Sequence, residues 1–267
     1  MGAAPASTST LLQPSAASGA SANPTLAICA AASLGAASFV PVWVKLAAAA
    51  GLGAGALVQA RAGAWLQVAT ALSAGLLMAA WTVPALTGLW PAPAVGALTV
   101  TALIVIAAGG ARSFGWVRRG ALGGPILLWT VLVVTAANGA LLLWYLLLRP
   151  PLDGLGFPDV RPALLLLGVL GWSILNAATE EALFRGLLLE ALRGRLGDAA
   201  GVAVQAAAFG LIHFRGVPGG WSGVALATMY GAMLGALRLR AGGMLAVVVA
   251  HVFADLTIVA MLRGLVG

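Results

Sequence analysis

Six ionisable residues stand inside otherwise apolar stretches of this chain: Glu180, Glu181, Arg185, His213, His251 and Asp255, with Glu190 at the edge of the set. His213 and His251 are its only histidines. Charged groups within apolar spans are costly and mark functional sites by default. Glu181 and Arg185 are four apart, so on a helix they share a face and can neutralise each other. Glu180 is turned about 100° from Glu181 and is free to face elsewhere. His251 and Asp255 share a face in the same way. A carboxylate beside an imidazole can take a proton from water as general base. A second imidazole with a carboxyl partner can donate to an oxyanion as it develops. In a water-restricted pocket this set suits hydrolysis, and peptide hydrolysis within a bilayer needs such an enclosed wet pocket. A Glu, two His and an Asp also make a plausible zinc set, and buried Glu and His serve proton relays. A metal-dependent protease and a proton-coupled or non-catalytic membrane protein therefore stand as alternatives.

The elements that must position these groups follow from composition. Of the 267 residues, 61% are hydrophobic and 8% charged, against about a quarter charged in a soluble domain. The chain is expected to be an integral membrane protein. Its formal charge of +7 is scattered between apolar runs without a basic stripe, which argues against nucleic acid. Cys29 is the only cysteine, so no internal disulfide forms. Residues 1–25 are uncharged and rich in Ala, Ser and Pro, and are read as a flexible tail without the positive n-region of a signal peptide.

A spanning helix needs about 20 mostly apolar residues. Such runs lie near 26–44, 63–83, 95–111, 122–148, 163–192, 198–214, 222–237 and 243–262. The fold class is therefore all-α, a polytopic transmembrane helix bundle of about eight spans, with the lipid bilayer as its partner. The stretch 26–60, broken only by Pro41 and Lys45, leaves open one span with an interfacial piece or a hairpin. Grouping Lys45 with Arg61 in the first loop gives nine basic residues on one side and four on the other. By the positive-inside rule both termini then fall outside. Gly231 and Gly235, four apart, are expected to let two helices approach closely. Asn138, Asn176 and Gln205 are expected to bridge helices, Trp129 and Trp172 to pack, and Trp90 to anchor at the interface. Glu190, Arg193 and Arg195 read as a solvated helix end.

Depth brings the polar residues together. Glu180 and His213 lie almost equally far from the turn near Leu196–Gly197, each roughly 24 Å along its helix. From the turn near Arg240–Gly242, Asp255 is roughly 20 Å along, with His251 one turn lower. Side chains from three helices thus reach one layer of the membrane.

Three segments carry a family resemblance. EEALFR (Glu180–Arg185) fits EExxxR, FGLIH (Phe209–His213) fits FxxxH, and HVFAD (His251–Asp255) fits HxxxN/D. In this order and spacing they resemble the CPBP, or Abi, family of intramembrane proteases. That family includes the CAAX prenyl endopeptidase of the Rce1 type and bacteriocin-processing proteins. The resemblance implies a glutamate-type endopeptidase in which Glu180 with His213 activates the attacking water. It implies an oxyanion site at His251 and Asp255, with Glu181, Arg185 and Phe209 as supporting motif residues, no cofactor, and a membrane-associated protein or peptide as substrate. The last motif often ends in Asn; to donate to an oxyanion Asp255 would have to be protonated, and when ionised it would orient His251 instead. Residues 26–162 then form N-terminal transmembrane helices, and 163–267 a CPBP-like catalytic core. The excess of Arg over the lone Lys45, with abundant Ala and Gly, leans toward a bacterial plasma membrane.

Overall fold

A computed structural model describes residues 24–150 and 160–264; the expected tail lies outside these apart from Pro24 and Thr25. Every regular element among the described residues is helical, because a chain in hydrocarbon must satisfy its backbone polar groups within itself. In chain order they are α1 (Thr25–Ala36), α2 (Val42–Arg61), α3 (Trp65–Ala80), the single turn α4 (Pro84–Thr87), α5 (Ala92–Ala107) and α6 (Gly124–Leu148). After these come α7 (Pro162–Glu181), a π-helical segment (Ala182–Leu188), α8 (Leu189–Ile212), α9 (Gly220–Ala241) and α10 (Leu245–Leu262). Prolines sit in the first turns of α4, α5, α6 and α7, where a missing N–H removes no helical bond.

Five of the helical runs are long and apolar enough to cross a membrane: 42–61, 124–148, the continuous run 162–215, 220–241 and 245–262. The helices 25–36, 65–80 and 92–107 are apolar but shorter. The run 162–215 folds back at Gly197 (φ 79°, ψ 169°), a conformation essentially confined to glycine. It thereby supplies two of the expected spans. The all-α membrane bundle expected from hydropathy is the architecture found.

Two expectations are revised. The run 26–44 does not continue as one helix. The chain turns at residues 37–41, Pro41 caps α2, and residues 42–61 form a 20-residue helix. Lys45 and Arg61 do not share a loop: they lie near opposite ends of α2, roughly 24 Å apart along its axis.

α1 packs on α8 and α3, α3 on α2 and α5, α8 on α9, and α10 on both α6 and α7. The largest buried cluster joins Leu34, Leu77, Phe184, Leu188 and Phe209. At Gly231 an added Cβ would lie 3.2 Å from both Ala206 Cα and the Phe209 ring. That residue thus permits the close α8–α9 approach expected of it.

The two ends of the bundle are distinct. At one, the turns near 61–65, 108–123, 193–200 and 238–245 meet. Ala121 N–H donates to the Ala241 carbonyl and Met244 N–H to that of Arg118, both at 2.8 Å. Arg238, buried, pairs with Glu190 at 2.9 Å, and Arg193 with Asp198 at 2.8 Å. Glu190 is therefore part of a tie between helices, whereas Arg195 is exposed. At the other end Phe39 contacts Phe214 and Trp221, Trp81 stacks on Trp90, and Trp144 Nε1–H donates to Ser222 Oγ at 3.1 Å.

Candidate active site

The residues singled out for chemistry meet at one cavity. α7 presents Asn176, Glu180 and Glu181; the π segment presents Arg185; α8 presents Phe209 and, at its end, His213; α10 presents His251 and Asp255. Glu180, His213, His251 and Asp255 all line a cavity of about 850 Å³, within the size range of small-molecule sites. Glu180, His251 and Asp255 are each 4–5% exposed, and Glu181 and Arg185 are fully buried.

Glu181 is the hub. Its Oε1 accepts from Arg185 Nη1 at 2.8 Å and from His251 Nδ1 at 2.7 Å. The expected intrahelical ion pair is therefore present, and it also fixes the imidazole of α10. With Nδ1 engaged, His251 directs Nε2 toward Glu180 Oε2 at 3.6 Å and Asp255 Oδ1 at 3.8 Å. Both distances exceed a hydrogen bond and lie within charge–charge range. The rotation between successive residues separates the roles: Glu181 points into the helix contacts and Glu180 into the cavity, where Glu180 Oε2 carries no hydrogen bond. Arg185 also lies over the Phe209 ring, 4.2 Å from its centroid.

His213 is oriented separately. Its Nδ1 lies 2.7 Å from the Phe209 carbonyl; a carbonyl only accepts, so Nδ1 carries the proton and Nε2 is left for the cavity. The Phe209 ring contacts both imidazoles, with centroids 4.5 Å from His213 and 6.0 Å from His251. Among the described residues no hydrogen bond joins Glu180 directly to His213; the two meet across the cavity they line.

Asp255 is held as an acceptor. Asn176 Nδ2 donates to Asp255 Oδ2 at 3.0 Å, and Trp90 Nε1–H donates to Asn176 Oδ1 at 2.7 Å. Asn176 thus bridges helices, as expected, but its partner is a site residue. Trp90, expected only as an anchor, orients that amide from the turn between α4 and α5. Tyr230 of α9 was not signalled by any motif: it lines the cavity, its ring edge meets His251 with centroids 5.7 Å apart, and its buried hydroxyl has no partner. Trp172 and Lys45 also line the cavity. Among the described residues no group of three or more His, Cys, Asp or Glu side chains has a metal-holding arrangement.

Five helical runs of membrane-spanning length and a cavity lined by carboxylates and imidazoles define an integral membrane protein with a candidate active site among its helices. Residues 162–257 match the family model described as type II CAAX prenyl endopeptidase Rce1-like. The match covers little more than a third of the chain; over that segment the chain is similar to a family of membrane proteases. No curated protein and no solved structure is similar enough to count as a match.

Proposed function

We propose that the chain is a glutamate-type intramembrane endopeptidase that hydrolyses a peptide bond of a membrane-associated protein or peptide, with residues 163–267 as its catalytic core. Glu180 takes the proton from a water held between its free carboxylate oxygen and Nε2 of His213. The resulting hydroxide attacks the scissile carbonyl, and the proton passes to the leaving amine. His251, as the doubly protonated imidazolium with Nδ1–H held by Glu181, offers Nε2–H to the developing oxyanion. Asp255, accepting from Asn176, steadies that imidazole electrostatically. The observation that carries the reading is the placement of Glu180: buried in the cavity wall, unbonded at Oε2, and 3.6 Å from an imidazole locked on its far side.

The test compares peptide termini in membranes from cells expressing wild type, Glu180→Gln or His213→Ala at matched levels. Termini present only with wild type establish proteolysis and name the substrate. Glu180→Gln should lower their rate of appearance by about 10²–10⁴-fold. Identical termini in all three, with each protein folded and inserted, would refute the reading.

A further inference from the structure

The cavity belongs to one end of the bundle. Its wall includes Ser38, Lys45, Trp81, Thr87, Trp90 and Arg215 from the turns and helix ends at the aromatic end. It includes no residue from the turns near 61–65, 108–123, 193–200 or 238–245. Lys45 Nζ lies 3.5 Å from the Trp81 carbonyl, so this cation stands at the mouth.

The other end is where most of the cations lie. Arg61 closes α2; Arg112, Arg118 and Arg119 precede α6; Arg193 and Arg195 flank the turn at Gly197; Arg238 and Arg240 close α9. These are eight basic residues, against Lys45, Arg149, Arg161, Arg215 and Arg263 at the cavity end. Because α2 separates Lys45 from Arg61, Lys45 falls on the cavity side. Short loops rich in Lys and Arg are retained in the cytoplasm, and every turn at the Arg-rich end is short.

We propose that the Arg-rich end is cytoplasmic and that the catalytic cavity opens on the opposite face of the membrane. Its substrates are then polypeptide segments on the non-cytoplasmic side: exported peptides, or the outer flanks of membrane spans. The orientation stands on the fold and charge distribution alone. The substrate class rests in addition on the endopeptidase reading.

The test uses the full chain with Cys29→Ser and single cysteines at uncharged exposed positions. Thr87→Cys and Leu89→Cys report the cavity end; Val117→Cys and Ala199→Cys report the other. A membrane-impermeant maleimide carrying a mass tag is applied to intact bacterial cells, and again after permeabilisation. The proposal expects the mass shift at Thr87→Cys and Leu89→Cys in intact cells, and at Val117→Cys and Ala199→Cys only once the membrane is opened. The reverse pattern overturns it, and so does equal labelling of both ends in intact cells. Two positions per end guard against one variant failing to insert. Loss of Glu180-dependent termini would sink the protease reading while leaving this labelling result intact.

Discussion

Glu181→Leu should destabilise the protein through Arg185 as much as through itself. The carboxylate holds Arg185 Nη1 at 2.8 Å with both side chains fully buried. Without it the guanidinium keeps only the Gly231 carbonyl, at 3.4 Å, and the Phe209 ring. Breaking a buried ion pair by removing one partner costs about 3–5 kcal/mol, because a charge is left uncompensated. At roughly 2–4 °C per kcal/mol for a chain of this size, the melting temperature should fall by roughly 6–20 °C. Replacing both partners, Glu181→Leu with Arg185→Leu, removes the stranded charge. It should recover all but about 1–3 kcal/mol, the cost of the buried His251 Nδ1–H left without its acceptor. With Arg185→Leu stranding Glu181 at a similar cost of about 3–5 kcal/mol, the coupling energy of that cycle should be at least about 3 kcal/mol. Activity should behave differently: His251 loses its Nδ1 acceptor in the single and the double variant alike, so both should fall by about 10²–10⁴-fold. Thermal melts in detergent, followed by tryptophan fluorescence, read the first quantity, and substrate cleavage reads the second. A Glu181→Leu protein that melts within about 2 °C of wild type, or a double variant that regains cleavage, would refute the assignment of Glu181 as hub.

Three further expectations concern the surroundings of the site. Asn176→Ala strands the Trp90 indole N–H and one oxygen of Asp255; it should cost about 1–3 kcal/mol and lower turnover, read by melting and by cleavage. Gly197→Ala forces a Cβ into φ 79°, ψ 169° and should cost about 1–3 kcal/mol while leaving the cavity chemistry unchanged, so that melting shifts and turnover at low temperature does not. Arg238→Ala leaves Glu190 its contact with Arg193 at 3.5 Å. It should loosen the tie between α8 and α9, seen as faster amide exchange in residues 189–196 than in residues 176–181.

Hydropathy made the class of fold legible because a 20-residue apolar run has few outcomes other than a membrane span. It was weakest at 26–60, where Ala and Gly keep the average high across the turn at 37–41; Pro41 was the local sign of that break. The motif carboxylates and imidazoles were legible as a set because charged groups are rare in these spans and their distances from shared turns matched. Their pairing was less so. Four-residue spacing points Glu181 to Arg185, but nothing local in sequence points it to His251, 70 residues on. The part played by Trp90 was hidden for the same reason: an indole near a span end looks like an anchor until the amide it meets is seen. The π-helical register of residues 182–188 left no mark in the apolar pattern at all.

That π-helical stretch makes the continuous run from α7 into the first turns of α8 a two-part shaft. Above it sit Glu180 and Glu181; near its lower end Leu187 accepts from Thr70, and below it Ala191 accepts from Gln67 and Glu190 from Arg238. Each surplus residue in a wide turn offsets the two parts by about 100°, so the angle of the carboxylates is set by anchors more than one turn away. Deleting a single residue between 182 and 188 would leave every side chain of the site in the polypeptide and yet point the glutamates at the wrong neighbours. The wide turn acts as a spacer in angle rather than in length, and this protein's chemistry depends on its count.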